Sequence, residues 1–185
     1  MKKTMAVLVI LALLFACAAA AEEGNVVMRI VSCPEQGFST LIRPEYNYDY
    51  HPDGGLTIWL GEPEESPSVS MFMVDEPGEI FDADYYFQNV YANLLKTTYG
   101  DDLLDAGSYE TFTLSGREMP GRLSLYLRDG EVRMRFCAYD LRDDCFVRYE
   151  AFCPGDTDLM QKTLTAVAVA VGNFQPDPDY YGSSK

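Results

Sequence analysis

The chain predicts an α+β fold, an antiparallel β-sheet with helices packed on it, and three local patterns carry that expectation. Leu123, Leu125 and Leu127 alternate with polar neighbours before Asp129-Gly130, and Val132, Met134 and Phe136 alternate after it. Asp-Gly between alternating runs signals a two-residue hairpin. Folding there sets Leu127 opposite Val132, Leu125 opposite Met134 and Leu123 opposite Phe136, all on one face, with Ser124, Tyr126, Arg133 and Arg135 on the other. Two further segments repeat apolar residues at helical spacing: Tyr86, Phe87, Val90, Tyr91, Leu94 and Leu95, then Met160, Leu164, Val167, Ala168 and Val171.

The N-terminus has a different logic. Lys2-Lys3, an uncharged apolar run from Met5 to about Cys17, the alanines 18–21 and then Glu22-Glu23 follow in order. Basic, apolar, small, then charged is the order of a secretory signal, and the run is too short to span a bilayer permanently. Residues 1–21 are therefore read as a signal peptide and 22–174 as a single domain. Cleavage after the alanines gives a soluble protein and is the favoured cut. Leu14-Phe15-Ala16-Cys17 also resembles a lipobox, which makes Cys17 a candidate lipidation residue. The chain is expected to be exported, secreted or at the cell surface, with a lipid anchor as the alternative and its sole link to a membrane.

Along the domain, β-rich residues from Asn25 to Val31 precede the Cys33-Pro34-Glu35-Gln36-Gly37 break, and Phe38 to Ile42 resumes a strand. Tyr46, Tyr48 and Tyr50 alternate with Asn47 and Asp49, as in a strand with one aromatic face. The segment 51–55 reads as a turn into Leu56 to Leu60, and an acidic, proline-containing loop leads to a strand from Ser68 to Val74. Asp82 caps a helix over about Ala83 to Tyr99, ended by Gly100. Its aromatic stripe reads as core. Tyr109 to Leu114 is a strand turned by Ser115-Gly116, and the Asp129-Gly130 hairpin follows. Leu141 to Asp144 turns into Cys145 to Phe152, and Asp156 or Thr157 caps a helix over about 157–172. Residues 175–185, with Pro176 and Pro178, read as a loose tail.

This order, with the Gly37-Phe38-Ser39 and Gly54-Gly55-Leu56-Thr57-Ile58 segments, resembles the PsbP/Mog1-like α/β/α sandwich superfamily over roughly 27–174. The resemblance implies an antiparallel sheet carrying an N-terminal hairpin, a central helix and a C-terminal helix. It also implies a binding or assembly protein rather than an enzyme. It carries over no site residues.

The chain's net charge is −15, and loss of Lys2 and Lys3 makes the domain more acidic still. That sign disfavours nucleic acid and anionic lipid surfaces. His51, the single histidine, lies in a turn and is read as an ordinary exposed residue. No His/Cys cluster has metal spacing and no glycine-rich phosphate loop is present, so no catalytic residue, metal or cofactor is expected. The acidic pairs read as solvated turns. The expected function is a non-enzymatic binding or assembly module with a protein or glycan partner; a hydrolase using scattered carboxylates is the alternative. Tyr46, Tyr48, Tyr50 and Trp59 are the candidate binding aromatics, weighed against their being the buried face of the hairpin.

Outside the signal, Cys33, Cys137, Cys145 and Cys153 make an even set in an exported chain. Cys145 and Cys153, eight residues apart on one strand, lie too far apart to bond. A turn centred on Leu141 sets Cys137 opposite Cys145 and leaves Cys33 with Cys153; a one-residue shift separates the first pair. That pairing is preferred over free thiols.

Overall fold

The structure, a computed structural model, describes residues 28–51, 54–61, 67–74, 82–142 and 145–177. The signal peptide, Cys17 and positions 178–185 lie outside the described residues. In chain order the strands are β1 (Arg29–Cys33), β2 (Phe38–Ile42), β3 (Asn47–Tyr50), β4 (Leu56–Trp59), β5 (Ser68–Val74), β6 (Leu103–Asp105), β7 (Tyr109–Leu114), β8 (Arg117–Arg128), β9 (Glu131–Leu141), β10 (Phe146–Pro154) and β11 (Gln175–Pro176). A helical run over 83–99, α1, lies between β5 and β6, and α2 (Thr157–Asn173) precedes β11.

The main sheet is antiparallel with the order β3-β4-β5-β10-β9-β8-β6, and β7 also pairs with β8. Its centre is the hairpin of β8 and β9, with Leu127, Leu125 and Leu123 opposite Val132, Met134 and Phe136, the register expected from the sequence. Asp129 and Gly130 both take positive φ, 56° and 80°, which fits the turn to the right-handed twist of its strands. A second sheet, β1-β2-β11, lies beside the first. Gln175 and Pro176 therefore pair with Ser39 and Phe38 instead of trailing loose. Phe174 stacks on Phe38 at 4.9 Å and anchors that return.

Strand alternation sends Met134, Phe136 and Ala138 of β9 and Val147, Tyr149, Ala151 and Cys153 of β10 to one face. There they meet Met160, Leu164, Val167, Ala170 and Val171 of α2 in one apolar core. Asp156 begins α2 by accepting from the amides of Asp158 and Leu159, both at 3.0 Å. The far end is tied down by an ionic relay. Arg142 donates to the carbonyls of Val171 (2.9 Å) and Phe174 (3.2 Å), and its Nε donates to the buried Asp140 at 2.7 Å. Arg117 holds the other Asp140 oxygen at 2.6 Å. A cation thus sits where the helix exposes its last carbonyls.

α1 packs on the opposite face and departs from a uniform α-helix. Ala83–Tyr85 and Ala92–Tyr99 are α-helical, but Tyr86–Tyr91 is π-helical. The i→i+5 bonding widens that turn. Tyr86, Phe87, Tyr91 and Leu95 reach the sheet, with Tyr86 and Phe87 in ring contact with Tyr139 at 5.4 and 5.7 Å. Val90 and Leu94, expected in the same core stripe, are about half exposed instead. No helix among the described residues is long and apolar enough to cross a membrane.

The cysteine register is the main correction. β9 stays extended to Leu141, which pairs with Phe146, so Cys137 lies opposite Glu150. The Arg142 backbone amide donates to the carbonyl of Cys145 at 3.0 Å, and the register is centred two to three residues beyond the turn expected at Leu141. Cys137 and Cys145 are then about five residues apart along the ladder, roughly 16 Å, too far for a disulfide. No disulfide joins the four cysteines. Core matching set the register, because it aligns Phe136 and Ala138 with Ala151 and Tyr149 on the α2 face.

Candidate functional site

The aromatics expected at one site are divided between the two faces of the sheet. Tyr48 pairs with Ile58 and Tyr50 with Leu56, so both lie on the α2 side of edge strand β3. They remain exposed and stand edge to face at 6.1 Å. Both are engaged within the fold. Tyr50 donates to the Ser32 carbonyl at 2.7 Å, Arg29 lies 5.0 Å over the Tyr48 ring, and Arg29 also donates to the Tyr46 carbonyl at 2.6 Å. Tyr46 packs partly into the core. This cluster closes the seam between edge strands β1 and β3. Trp59 pairs with Asn47 and Ser68, which puts it on the other face. His51, expected exposed, is half-buried with its ring 5.0 Å from Phe72.

The chemistry that does converge lies on the α1 face. Alternation along β9 sends Arg133, Arg135, Cys137 and Tyr139 there, and β10 adds Arg148, Glu150 and Phe152. Phe72 of β5 lies opposite Arg148, and Tyr126 of β8 lies opposite Arg133. Glu150 sits between two guanidinium groups, 3.2 Å from Arg135 and 3.1 Å from Arg148. Both arginines also lie over rings: Arg148 is 4.6 Å from Phe72, and Arg135 is 5.2 Å from Phe152 and 5.4 Å from Tyr91 of α1. Phenols extend the row at both ends. Arg135 donates to Tyr99 at 3.5 Å, Tyr99 stacks on Tyr126 at 4.1 Å, and Tyr139 donates to Tyr86 at 3.2 Å. Side-chain exposure is graded, 12% at Arg135, 14% at Glu150, 27% at Arg133 and 32% at Arg148, so the row opens towards solvent at its arginine ends.

Burial holds the thiols and phenols in their protonated forms. Burial pushes the Cys137 thiol up to about 12 and Cys153 up to about 11, and burial together with Tyr99 pushes Tyr126 up to about 12. Burial raises Tyr91 further. These thiols and phenols stay neutral at physiological pH, where a thiolate nucleophile or a general base must be available. What the row offers is fixed guanidinium charge with flat apolar walls. Among the described residues Arg133, Arg135 and Arg148 outnumber the two carboxylates that pair with them, Glu150 and the exposed Glu131, in a chain of net charge −15.

Sequence reasoning missed this row. Tyr126, Arg133 and Arg135 were placed on the polar face of the hairpin, which reads as solvated surface. Arg148 and Glu150 two residues apart on one strand was the one local signal available.

The layers define a class, the PsbP-like α+β fold: an antiparallel sheet with one continuous α-helix on one face and a helical run interrupted by a π-helical turn on the other. Among solved structures, the chain is similar to the solution structure of cyanobacterial PsbP (CyanoP) from Synechocystis sp. PCC 6803. The TM-score is 0.53 at 15% identity, covering 84% of this chain and 96% of that one. It is also similar to LpqN of Mycobacterium tuberculosis, a protein involved in cell envelope biogenesis, with TM-score 0.51, 15% identity, and 87% and 96% coverage. No family model and no curated protein matches the chain.

Proposed function

We propose that this protein is a non-enzymatic binding or assembly module, working in the cell envelope or outside the cell. The observation that carries the reading is Glu150, held between Arg135 and Arg148 while both guanidinium groups rest on aromatic rings at a half-open surface. Such a surface recognises charge and flat apolar groups, and the neutral Cys137 thiol and the phenols around it suit no proton-transfer step. Two further points support the reading: the basic, apolar, small-residue order of the first 21 residues, and the fold shared with CyanoP and LpqN. The Arg133–Arg148 row, rather than the Tyr48–Tyr50 edge, is the binding surface.

The test places a photo-crosslinking residue at Phe72 in the exported protein. Discrete adducts are expected, and they should vanish when Arg133 and Arg148 are replaced by Gln. Adducts insensitive to both arginines would remove the row as the binding surface. Turnover of glycoside or ester substrates by the purified protein, lost on Glu150→Gln, would restore the hydrolase reading.

A further inference from the structure

We infer that the arginine row receives an extended acidic peptide, whose carboxylates take the guanidinium edges that Glu150 leaves open. This rests on the reading of the row as a binding surface and adds the chemistry of its partner. Three features of the row argue for it.

The first is unused donor capacity. Three guanidinium groups share Glu150 and, at the exposed end, Glu131 at 3.6 Å from Arg133. The Nε–H groups of Arg133 and Arg135 are buried and meet no acceptor among the described residues, so these guanidinium groups are incompletely paired inside the fold. A peptide reaches their solvent-facing ends, and a carboxylate is the strongest acceptor it brings to a guanidinium fork. The second feature is support. Arg148 and Arg135 rest with their carbon centres over Phe72 and Phe152. The rings hold the guanidinium groups in place without using their N–H donors, and a guanidinium fork pairs carboxylates bidentately.

The third is spacing. Arg133 and Arg135 are two residues apart on β9, about 7 Å, and Arg148, one strand (about 5 Å) across, lies opposite Tyr139, four residues or about 13 Å further along the same line. An extended peptide repeats side chains on one side at the same interval of about 7 Å, so acids at alternate positions match the arginines in step. A single small anion uses only one of these groups. The overall negative charge opposes an acidic partner at long range. That field is screened within about 8 Å at physiological salt, whereas the contacts inside the row are not.

The experiment uses the full mature chain and two fluorescent octapeptides, one alternating Glu with Thr and one alternating Gln with Thr, read by anisotropy. The Glu peptide is expected to bind at least about tenfold more tightly than the Gln peptide. Arg133→Gln and Arg148→Gln should each weaken it about tenfold, with Arg148→Lys recovering part of the loss. Glu150→Gln should strengthen it severalfold, because it removes the internal competitor. Thermal melts check the fold of each variant. If Arg148→Gln fails to fold, Arg133→Gln and the peptide pair still decide. Equal affinity for the two peptides would overturn the inference, as would weaker binding by a folded Glu150→Gln variant. Displacement by inorganic phosphate or an oligouronate as effectively as by unlabelled peptide would reassign the row to small anions or acidic glycans. If Phe72 adducts depend on the arginines while the acidic peptide does not bind, the peptide falls and the binding surface stands. If neither depends on them, both fall.

Discussion

The two faces of the main sheet follow the same alternation rule and come out chemically opposite. Towards α2, strands β9 and β10 present Met134, Phe136, Ala138, Val147, Tyr149, Ala151 and Cys153, and the helix answers with aliphatic residues. The one ionic group there, Asp140, is paired on both sides by Arg117 and Arg142. Towards α1, the same two strands present Arg133, Arg135, Cys137, Tyr139, Arg148, Glu150 and Phe152. There the partners are rings and charges with hydrogen-bonding capacity to spare. The α2 face holds the molecule together through apolar burial, which is non-directional. The α1 face keeps directional groups near solvent, at some cost in stability.

The comparison breaks most sharply at Asp140. Asp140→Ala strips the carboxylate from two arginines and unfastens the end of α2, and it should destabilise by about 3–5 kcal/mol in urea unfolding, the range for a broken buried pair. Phe136→Ala, at a fully buried position on the same face, should cost a similar amount, about 3–5 kcal/mol by cavity formation. A loss under 1 kcal/mol at both sites would show that the α2 face is not the main source of stability.

Smaller effects belong to the other face. Arg148→Met should change stability by less than about 1 kcal/mol while weakening the peptide binding proposed above about tenfold. A large loss of stability with binding retained would reverse the roles assigned to the two faces. At the helix start, Asp156→Ala should cost about 1 kcal/mol, as expected for one cap.

The smallest signal near neutrality is alkaline. Cys137 in the folded protein is raised from about 9 to about 12, so the unfolded state releases its proton first as pH rises. Stability from this burial is whole below about pH 9 and is lost as pH climbs towards 12. Tyr126, raised from about 10 to about 12, acts in the same sense from about pH 10 upward. Thermal melts between pH 8 and 11 should show a falling midpoint, with a shallower fall in Cys137→Ala. An unchanged slope in that variant would mean the thiol is not buried as described.

Much of the frame was legible because it depends on neighbours in sequence. The Asp129-Gly130 register, the helix over 83–99 and the cap at Asp156 all rest on residues within a few positions of one another. The π-helical turn was not legible, since Tyr86, Phe87 and Tyr91 fit the ordinary helical spacing until packing against Tyr139 favours the wider turn. The short strands β6 and β11 have too few residues to show a period. The candidate aromatics read as one group because Tyr46, Tyr48 and Tyr50 share a period, yet pairing with β4 put Trp59 on the opposite face.

By itself, then, the sequence determined the longer elements and the apolar face of the central hairpin and of α2, because alternation, caps and two-residue turns are written in adjacent residues. The tertiary structure alone decided which strands became neighbours. Only the order β5-β10-β9 brings Phe72, Arg148, Glu150 and Arg135 together, and only the two-residue extension of β9 past Tyr139 sets Cys137 against Glu150 rather than Cys145. Those choices follow from burying the largest apolar set against α2. The polar face inherits its pattern from a register selected on the other side of the sheet.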